Sequence, residues 1–394
     1  MRVLLYSFGS RGDVEPLLAL ALELQRQGAQ ALVGAPPDFA DLLAAAGVPV
    51  VPAGPSVREL VHVRKATPKD APALAAELVT RQFELLDIAR GSDAIVATGL
   101  MPAGMRSIAE LLDVPYQCVL FNPQVLPSPD YHPLPRPGKP FPPGETDNRV
   151  LWDLDAEKVQ ALYGPALNRH REAAGLPPVH NVRDHTFSHA PWVASDPVLS
   201  PLRSHPGYDV LQTGAWIVPD TRPLPPDLTA FLDAGSPPVY VGFGSVTAPA
   251  DAAGVAIEAI RQQNRRALIG SGWAGLTTND PDCFVIGEVN HQALFGRVAA
   301  VVHHGGAGTT TTAARAGTPQ VVIPQIADQP YWAARVADLG IGVAHDGPTP
   351  TVNSLAAALR LVLTPDTRTR AIAVAGAVRT DGAATAATKL LQAC

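Results

Sequence analysis

The chain has 394 residues, 46% hydrophobic and 17% charged, with a formal net charge of −6 at pH 7. That length suits two domains of roughly 150–200 residues each rather than one core, and the composition excludes a disordered chain. The acidic balance, the absence of a basic cluster and three scattered cysteines (Cys118, Cys283, Cys394) argue against a nucleic-acid partner, a disulfide framework and a cysteine metal site.

Taken in order, Val3–Tyr6 is an apolar run that stops at Phe8-Gly9-Ser10, inside a start (MRVLLYSFGS) whose apolar core is too short for a signal peptide. Apolar residues at helical spacing follow from Leu17 to Leu24, ending at Gly28. Ala29–Gly34 reads as a strand, Phe39–Ala46 as a helix closed by Gly47, and Val48–Val51 as another strand. Ala94–Ala97, a helix through Leu112 and Tyr116–Phe121 continue the alternation, which implies a parallel sheet covered on both faces. Residues 123–143 hold nine prolines, a density that forbids helix or central strand. A plain surface loop and a loop over a binding cleft both fit, the second favoured by Tyr131, His132 and Phe141.

Residues 205–238 read as an interdomain connector rich in Pro, Gly and Asp, between an N-terminal domain over 1–204 and a C-terminal domain over 239–394. The alternation restarts with strands at Val239–Phe243, Arg266–Ile269, Phe284–Ile286, Ala299–His303 and Gln320–Ile323. Helices are expected at Ala252–Gln262, from Thr310 and from Tyr331. The chain therefore reads as α/β, two Rossmann-type domains in series, with the last helix free to return to the first domain. No run approaches the ~18 apolar residues of a membrane-spanning helix. The expectation is a soluble cytoplasmic protein, a monomer, with no membrane partner.

Three stretches carry candidate chemistry. In VVHHGGAGTTTT an apolar run, three glycines and a helix start make an anion site from free backbone N–H groups and the positive helix end. Gly305, Gly306 and Gly308 allow close approach, Thr309 and Thr310 add hydroxyls and a cap, and His304 donates, more strongly if protonated. A tight strand–helix turn is the plainer reading of the same residues; no Walker motif is present. In FGSRGDVEP, Gly9 and Gly12 bracket Ser10 and Arg11, and Asp13 stands at a helix start, either as an N-cap or as a general base in the crevice at the strand ends. In PQIADQPYW, Asp328 and Gln329 form an acceptor–donor pair suited to sugar hydroxyls, or simply a helix N-terminus. The pairs Asp153/Asp155 and Asp280/Asp282 and the trio His180, His185 and His189 have poor settings for metal binding; the histidines read as exposed.

GSRGD near the start, VYVGFGS (239–245), GEVNHQALFGRVAAVVHHGGAGT (287–309) and ADQP (327–330) resemble the family 1 glycosyltransferases of the GT-B fold. GLPPV, PWVASDPVLSPL, QTGAWIVPDTRPL and VAHDGPTPT are similar to the actinobacterial members that glycosylate glycopeptide antibiotic aglycones of the vancomycin type. The resemblance implies two Rossmann-like doubly wound domains facing across a cleft, the second binding a nucleoside-diphosphate sugar. It implies that His304, Gly305, Gly306, Gly308 and Thr309 hold the diphosphate with Ser245. Trp273 and Val289 would accommodate the base, and Asp328 and Gln329 the sugar. Asp13 corresponds to the proposed base, with Ser10, Arg11 and Gly12 approaching the diphosphate. Pro127, Tyr131 and His132 lie on a loop similar to the acceptor-side loop of those enzymes, and residues 61–83 are a second acceptor candidate, with no feature tied to a particular aglycone. HHGGAGTT followed by PQIADQPY is closer in character to glucosyl-transferring than to vancosamine-transferring members. The expectation is thus an inverting, metal-independent transfer from a UDP-hexose, glucose before N-acetylglucosamine, to a phenolic hydroxyl, with no cofactor. The alternatives are a TDP-deoxysugar transferase acting on a polyketide or an already glycosylated glycopeptide, and a non-catalytic nucleotide-sugar-binding protein.

Overall fold

A computed structural model of the chain describes residues 1–63, 67–136, 140–245, 248–249, 251–273, 275–278, 280 and 282–393. Pro137 of the proline-rich loop and Pro281 of the second aspartate pair lie outside the described residues. The chain divides into two compact units, the first holding residues 1–195, 202–218 and those from Thr380 onward, the second 196–201 and 219–379. No described helix is long and apolar enough to cross a membrane.

The first unit is a seven-stranded parallel sheet of β1 (Arg2–Phe8), β2 (Gln30–Ala35), β3 (Val50–Pro52), β4 (Ala94–Gly99), β5 (Tyr116–Leu120), β6 (Trp192–Val193) and β7 (Leu211–Gln212). Their order is β3-β2-β1-β4-β5-β6-β7. All of β1 after Arg2 is buried, as a strand covered on both faces requires. Leu4, Tyr6, Phe8, Ile95 and Ala97 pack against Leu78, Met105 and Ile108 of the helices Ala71–Phe83 and Ala103–Leu112 on one face. The C-terminal helix Gly382–Ala393 packs against the helix Arg11–Arg26.

The second unit is a six-stranded parallel sheet of β8 (Val239–Gly242), β9 (Ala267–Gly270), β10 (Cys283–Ile286), β11 (Ala300–His303), β12 (Gln320–Val322) and β13 (Gly342–Ala344), ordered β10-β9-β8-β11-β12-β13. Val239, Val241, Ile269, Val302 and Val321 form its core with Ile260, Leu355 and Leu359 from the helices Ala252–Arg261 and Val352–Val362.

Several expectations are corrected. The stretch 205–238 is not a separate connector: Leu211–Gln212 is the edge strand of the first sheet, and Pro226–Asp233 is a helix whose Leu228 and Leu232 are buried in the second unit. Proline marked these residues as irregular, but Pro225 and Pro226 stand at a helix start, where a missing N–H costs nothing. His180 and His189 are exposed, whereas His185, in the helix Val182–Phe187, is half-buried. Its burial pulls its pKa down to about 4 against the opposing pull of Glu110, 3.7 Å away.

Asp155, one of the paired aspartates, is fully buried in the 26-residue helix Asn148–Ala173. Arg136 of the proline-rich loop donates to it at 2.6 Å, and Arg183 stands 3.7 Å away. Trp152 Nε1 donates to the Tyr131 carbonyl at 2.8 Å and Asn148 Nδ2 to that of Pro129 at 2.7 Å, so one helix holds the loop in three places. Removing the carboxylate takes from the half-buried Arg136 its close ion-pair partner and from buried Arg183 a neighbouring charge, though Arg183 keeps Asp184 and the Trp152 carbonyl. Asp155→Ala is therefore expected to cost about 3–5 kcal/mol of the first unit's stability; an unchanged urea midpoint for that unit would contradict the assignment.

Candidate functional site

In the second unit the residues singled out by sequence follow five adjacent strands. Ser245 follows β8, Trp273 follows β9, Val289 follows β10, His304–Thr309 follow β11, and Asp328–Gln329 follow β12. Register brings the loops together: His303 pairs with Gly242 on one side and Val322 on the other. The amide of Trp273 donates to the Gly244 carbonyl at 2.9 Å. Val289 packs into the cluster around Tyr240 and Phe295.

The glycine loop is fixed from beneath by His303, which is fully buried. The Gly305 amide donates to His303 Nδ1 at 3.1 Å, and His303 Nε2 lies 2.9 Å from Gln320 Oε1. An amide can only donate, so Nδ1 carries no proton and Nε2–H donates to Gln320. Burial, with His304 beside it, pulls the His303 pKa down to about 3. Gly305 has φ +92°, and a Cβ there would meet Val322 at 2.7 Å, so only glycine fits the turn. The helix Ala307–Arg315 starts from Gly306. Among the described residues nothing accepts from the amides of Gly306, Ala307, Gly308 and Thr309 or bonds the Thr309 hydroxyl. Four donors and the positive helix end thus converge at one place.

Two expectations for this loop change. Thr310 donates its hydroxyl to the Gly306 carbonyl at 2.9 Å, and Thr311 to that of Ala307 at 2.8 Å, so neither serves a ligand or a cap. His304 is buried, and burial pulls its pKa down to about 4, so it is a neutral imidazole at pH 7 rather than a cation. Its Nδ1 is buried without a hydrogen-bond partner, and a Cβ on Gly306 would come within 2.6 Å of its Nε2.

Gln329 is buried, and its Oε1 accepts from the Gln325 and Ile326 amides at 2.7 and 3.0 Å. Its acceptor is therefore spent on the loop, leaving the amide N–H₂ as the group it offers. Asp328 accepts from Trp332 Nε1 at 2.9 Å. Gln329 lies beside Gly305, whose Cβ would stand 3.1 Å from the Gln329 carbonyl.

In the first unit Ser10 is the N-cap of the helix Arg11–Arg26 and Asp13 is its N3 residue, so Asp13 is a capping-box partner rather than the N-cap. The Ser10 amide donates to Asp13 Oδ2 at 2.7 Å and its hydroxyl to the same oxygen at 3.3 Å. The carboxylate lies over Gly9, where a Cβ would fall 2.2 Å from Oδ2. Arg11 donates to Glu15 at 2.8 and 3.0 Å, a pairing that a bound anion would compete with; Gly12 is exposed in the first turn.

Beside Asp13, Gly9 helps to line a pocket of ≈ 470 Å³ with Phe8, Val57, Leu60, Val61, Leu74 and Leu100. None of Pro127, Tyr131 and His132 lines it. The Pro127 carbonyl accepts from His205 at 3.1 Å, Tyr131 stacks on His205 at 6.4 Å, and His132 turns to the Pro133 carbonyl. Among the described residues no cluster of three or more His, Cys, Asp or Glu side chains could hold a metal ion.

Residues 3–124 match the family model described as glycosyltransferase family 28 N-terminal domain, and residues 275–390 the model described as erythromycin biosynthesis protein CIII-like, C-terminal domain. The vancomycin aglycone glucosyltransferase of Amycolatopsis orientalis is 54% identical over 100% of this chain and 98% of its own. The chain belongs to the family 1 glycosyltransferases. The dTDP-epi-vancosaminyltransferase of the same organism is 47% identical over 95% of this chain and 93% of its own. A crystal structure of the glycotransferase of kitacinnamycin covers 99% of this chain and 98% of its own with a TM-score of 0.75 at 19% identity, a likeness of fold. The fold is GT-B, and the function is glycosyl transfer in antibiotic biosynthesis.

Within this glycosyltransferase one group escaped the sequence reading and a second was only partly read. His303 was passed over because a histidine ending an apolar run gives no sign of which ring nitrogen its neighbours use. Of the pocket only Val61 and Leu74 fall within the second acceptor candidate, residues 61–83, because its mostly apolar walls come from four separate segments.

Gly308 differs from Gly305 in having no atom within 4 Å of a Cβ placed there. Gly308→Ala is expected to leave stability unchanged or raise it by about 0.5–1 kcal/mol. Nucleoside-diphosphate affinity should fall by about tenfold (~1.4 kcal/mol) through crowding of the free amides, read by calorimetry with UDP and TDP. Unaltered affinity would count against this loop as the anion site. The two buried histidines also set an acid limit. Their folded pKa values lie below the ordinary ~6.5, so the unfolded chain binds more protons and stability is lost as pH falls below about 6.5. The slope approaches ~1.4 kcal/mol per pH unit for each histidine, to be read as a falling urea midpoint of the second unit between pH 7.5 and 5.

Proposed function

We propose that this glycosyltransferase moves a hexose, glucose in first place, from a UDP-sugar to a phenolic hydroxyl of a vancomycin-type glycopeptide aglycone. The observation that carries this reading is the 54% identity over nearly the full length of an aglycone glucosyltransferase, above the 47% to the epi-vancosaminyl enzyme. The glycine loop supports the donor half: four free amides and a helix N-terminus suit a diphosphate, with neutral His304 an added hydrogen-bonding group. Asp328 and the Gln329 amide are assigned to the sugar hydroxyls, Ser245 to the diphosphate, and Trp273 and Val289 to the base. Ser10, Arg11 and Gly12 complete the proposed diphosphate contacts.

In the proposed reaction the Asp13 carboxylate takes the proton of the acceptor hydroxyl. The acceptor oxygen forms a bond to the anomeric carbon as the bond to the diphosphate oxygen breaks, and the diphosphate leaves with that electron pair. Attack opposite the leaving group inverts the centre. A phenol, with a pKa near 10, needs only modest help from a carboxylate. The apolar pocket beside Asp13 is assigned to the aglycone, and Pro127, Tyr131 and His132 to an outer acceptor surface. The backbone amides neutralise the developing charge without a metal ion. The enzyme is proposed to work as a monomer in the cytoplasm.

Incubation with vancomycin-type and teicoplanin-type aglycones against UDP- and TDP-sugars, read by product mass, tests the substrates. A hexose increment with a UDP-sugar is expected. A deoxysugar increment alone would favour the TDP-deoxysugar reading, and no increment would refute the acceptor claim. Asp13→Asn keeps a side-chain oxygen for the Ser10 amide but removes the base. It should lose about 10²–10⁴-fold in kcat with little change in thermal midpoint; full turnover would sink the assignment. Activity should also persist in excess chelator.

A further inference from the structure

The pocket wall opposite Phe8 is built from a short segment with an unusual support. Val57 opens a helical turn that continues as a π-helix over Glu59–Val63, and Val57, Leu60 and Val61 line the pocket. The first amides of such a turn have no partners within it. Here they are satisfied by Asp38, which stands in the short 3₁₀ turn Pro37–Phe39 after β2, about twenty residues earlier in the chain. Asp38 Oδ2 accepts from the Val57 amide at 2.7 Å. Asp38 Oδ1 accepts from the Ser56 hydroxyl at 2.7 Å and the Arg58 amide at 3.3 Å. Ser56 Oγ in turn accepts from the Glu59 amide at 3.0 Å. One carboxylate therefore fixes where three of the seven pocket-lining residues begin.

From this geometry we infer that Asp38 is a positioning residue for the acceptor, holding the Val57–Val61 wall at the distance from Gly9 and Asp13 that the acceptor requires. The inference rests on the reading of the pocket as the acceptor's seat. The Asp38 bonds to Ser56 and Val57 are part-buried and the one to the Arg58 amide is exposed. Water can replace the carboxylate there, so its loss loosens the wall without unfolding the unit. The hydrogen bonds of Asp38 run to Ser56, Val57 and Arg58 of the pocket wall, so the effect falls on the acceptor rather than on the donor.

The test compares Asp38→Ala, Asp38→Asn and Ser56→Ala with Leu60→Trp, which fills the pocket directly, using vancomycin aglycone and UDP-glucose. Asp38→Ala should raise the acceptor KM by about tenfold and leave the donor KM within about twofold. Asp38→Asn, which keeps one acceptor oxygen, and Ser56→Ala should fall between it and the parent; these two carry the test if Asp38→Ala does not fold. An unchanged acceptor KM in the Asp38 and Ser56 variants, with a raised one in Leu60→Trp, overturns the positioning role and leaves the pocket reading intact. No change in any variant overturns both. Equal rises in acceptor and donor KM would mean general destabilisation and also overturn the role.

Discussion

In each unit the chain leaves an inner strand to build outward on one side, then returns to that strand's other edge and builds the opposite way. The reversal falls between β1 and β4 in the first sheet and between β8 and β11 in the second. At such a point the two outgoing connections diverge and leave a crevice at the carboxyl ends of the strands. The proposed diphosphate-binding groups stand at these two places. Gly9–Asp13 and Leu100 follow β1 and β4; Gly244–Ser245 and the His303–Thr309 loop follow β8 and β11. Parallel pairing also explains how distant motifs meet: His303 and Val322 are register partners, so the glycine loop and the Asp328–Gln329 loop leave side by side.

The proposed anion site owes its character to what is neutral in it. A protonated imidazole at position 303 could not accept from the Gly305 amide, and without that bond nothing turns Gly305 inward and the next four amides outward. Burial keeps His303 and His304 uncharged, and His303 Nε2–H faces Gln320 Oε1. Attraction for an anion then comes from aligned backbone dipoles, which are fixed before the ligand arrives and need no reorganisation on binding.

Much of the fold was legible because buried parallel strands write themselves as apolar runs and the helices between them end at glycine. VLLYSF, AIVATG and AVVH are each closed by the residue that turns the chain. The site motifs were legible for a related reason, since close backbone approach demands glycine at fixed positions. Asp155 shows the limit of that reading: its partners Arg136 and Arg183 lie 19 and 28 positions away on other elements, and no local pattern announces such pairings. Proline misled at 205–238, where it opens a helix. The pocket was legible only as the bare candidate segment 61–83, because apolar side chains facing a cavity look the same in sequence as those facing a core.

The base proposed above, Asp13, joins fold and proposed chemistry in one side chain. As the N3 partner of Ser10 it closes the first turn of a helix whose Val14, Leu17, Leu18 and Leu24 are buried. A capping interaction is worth about 1 kcal/mol, enough to hold the carboxylate in one rotamer but small against the barrier of a glycosyl transfer. That imbalance is what a general base needs. The cap orients the group at modest cost, and Gly9, having no side chain, gives the carboxylate room. Conversely, the carboxylate's structural task sets a condition on its chemical one. A proton gained from an acceptor turns a charge-assisted hydrogen bond from the Ser10 amide into a neutral one, which weakens the cap. In the proposed reaction the helix start is therefore steadier once the proton has left, so the structural role of the carboxylate and its proposed role as base pull the same way.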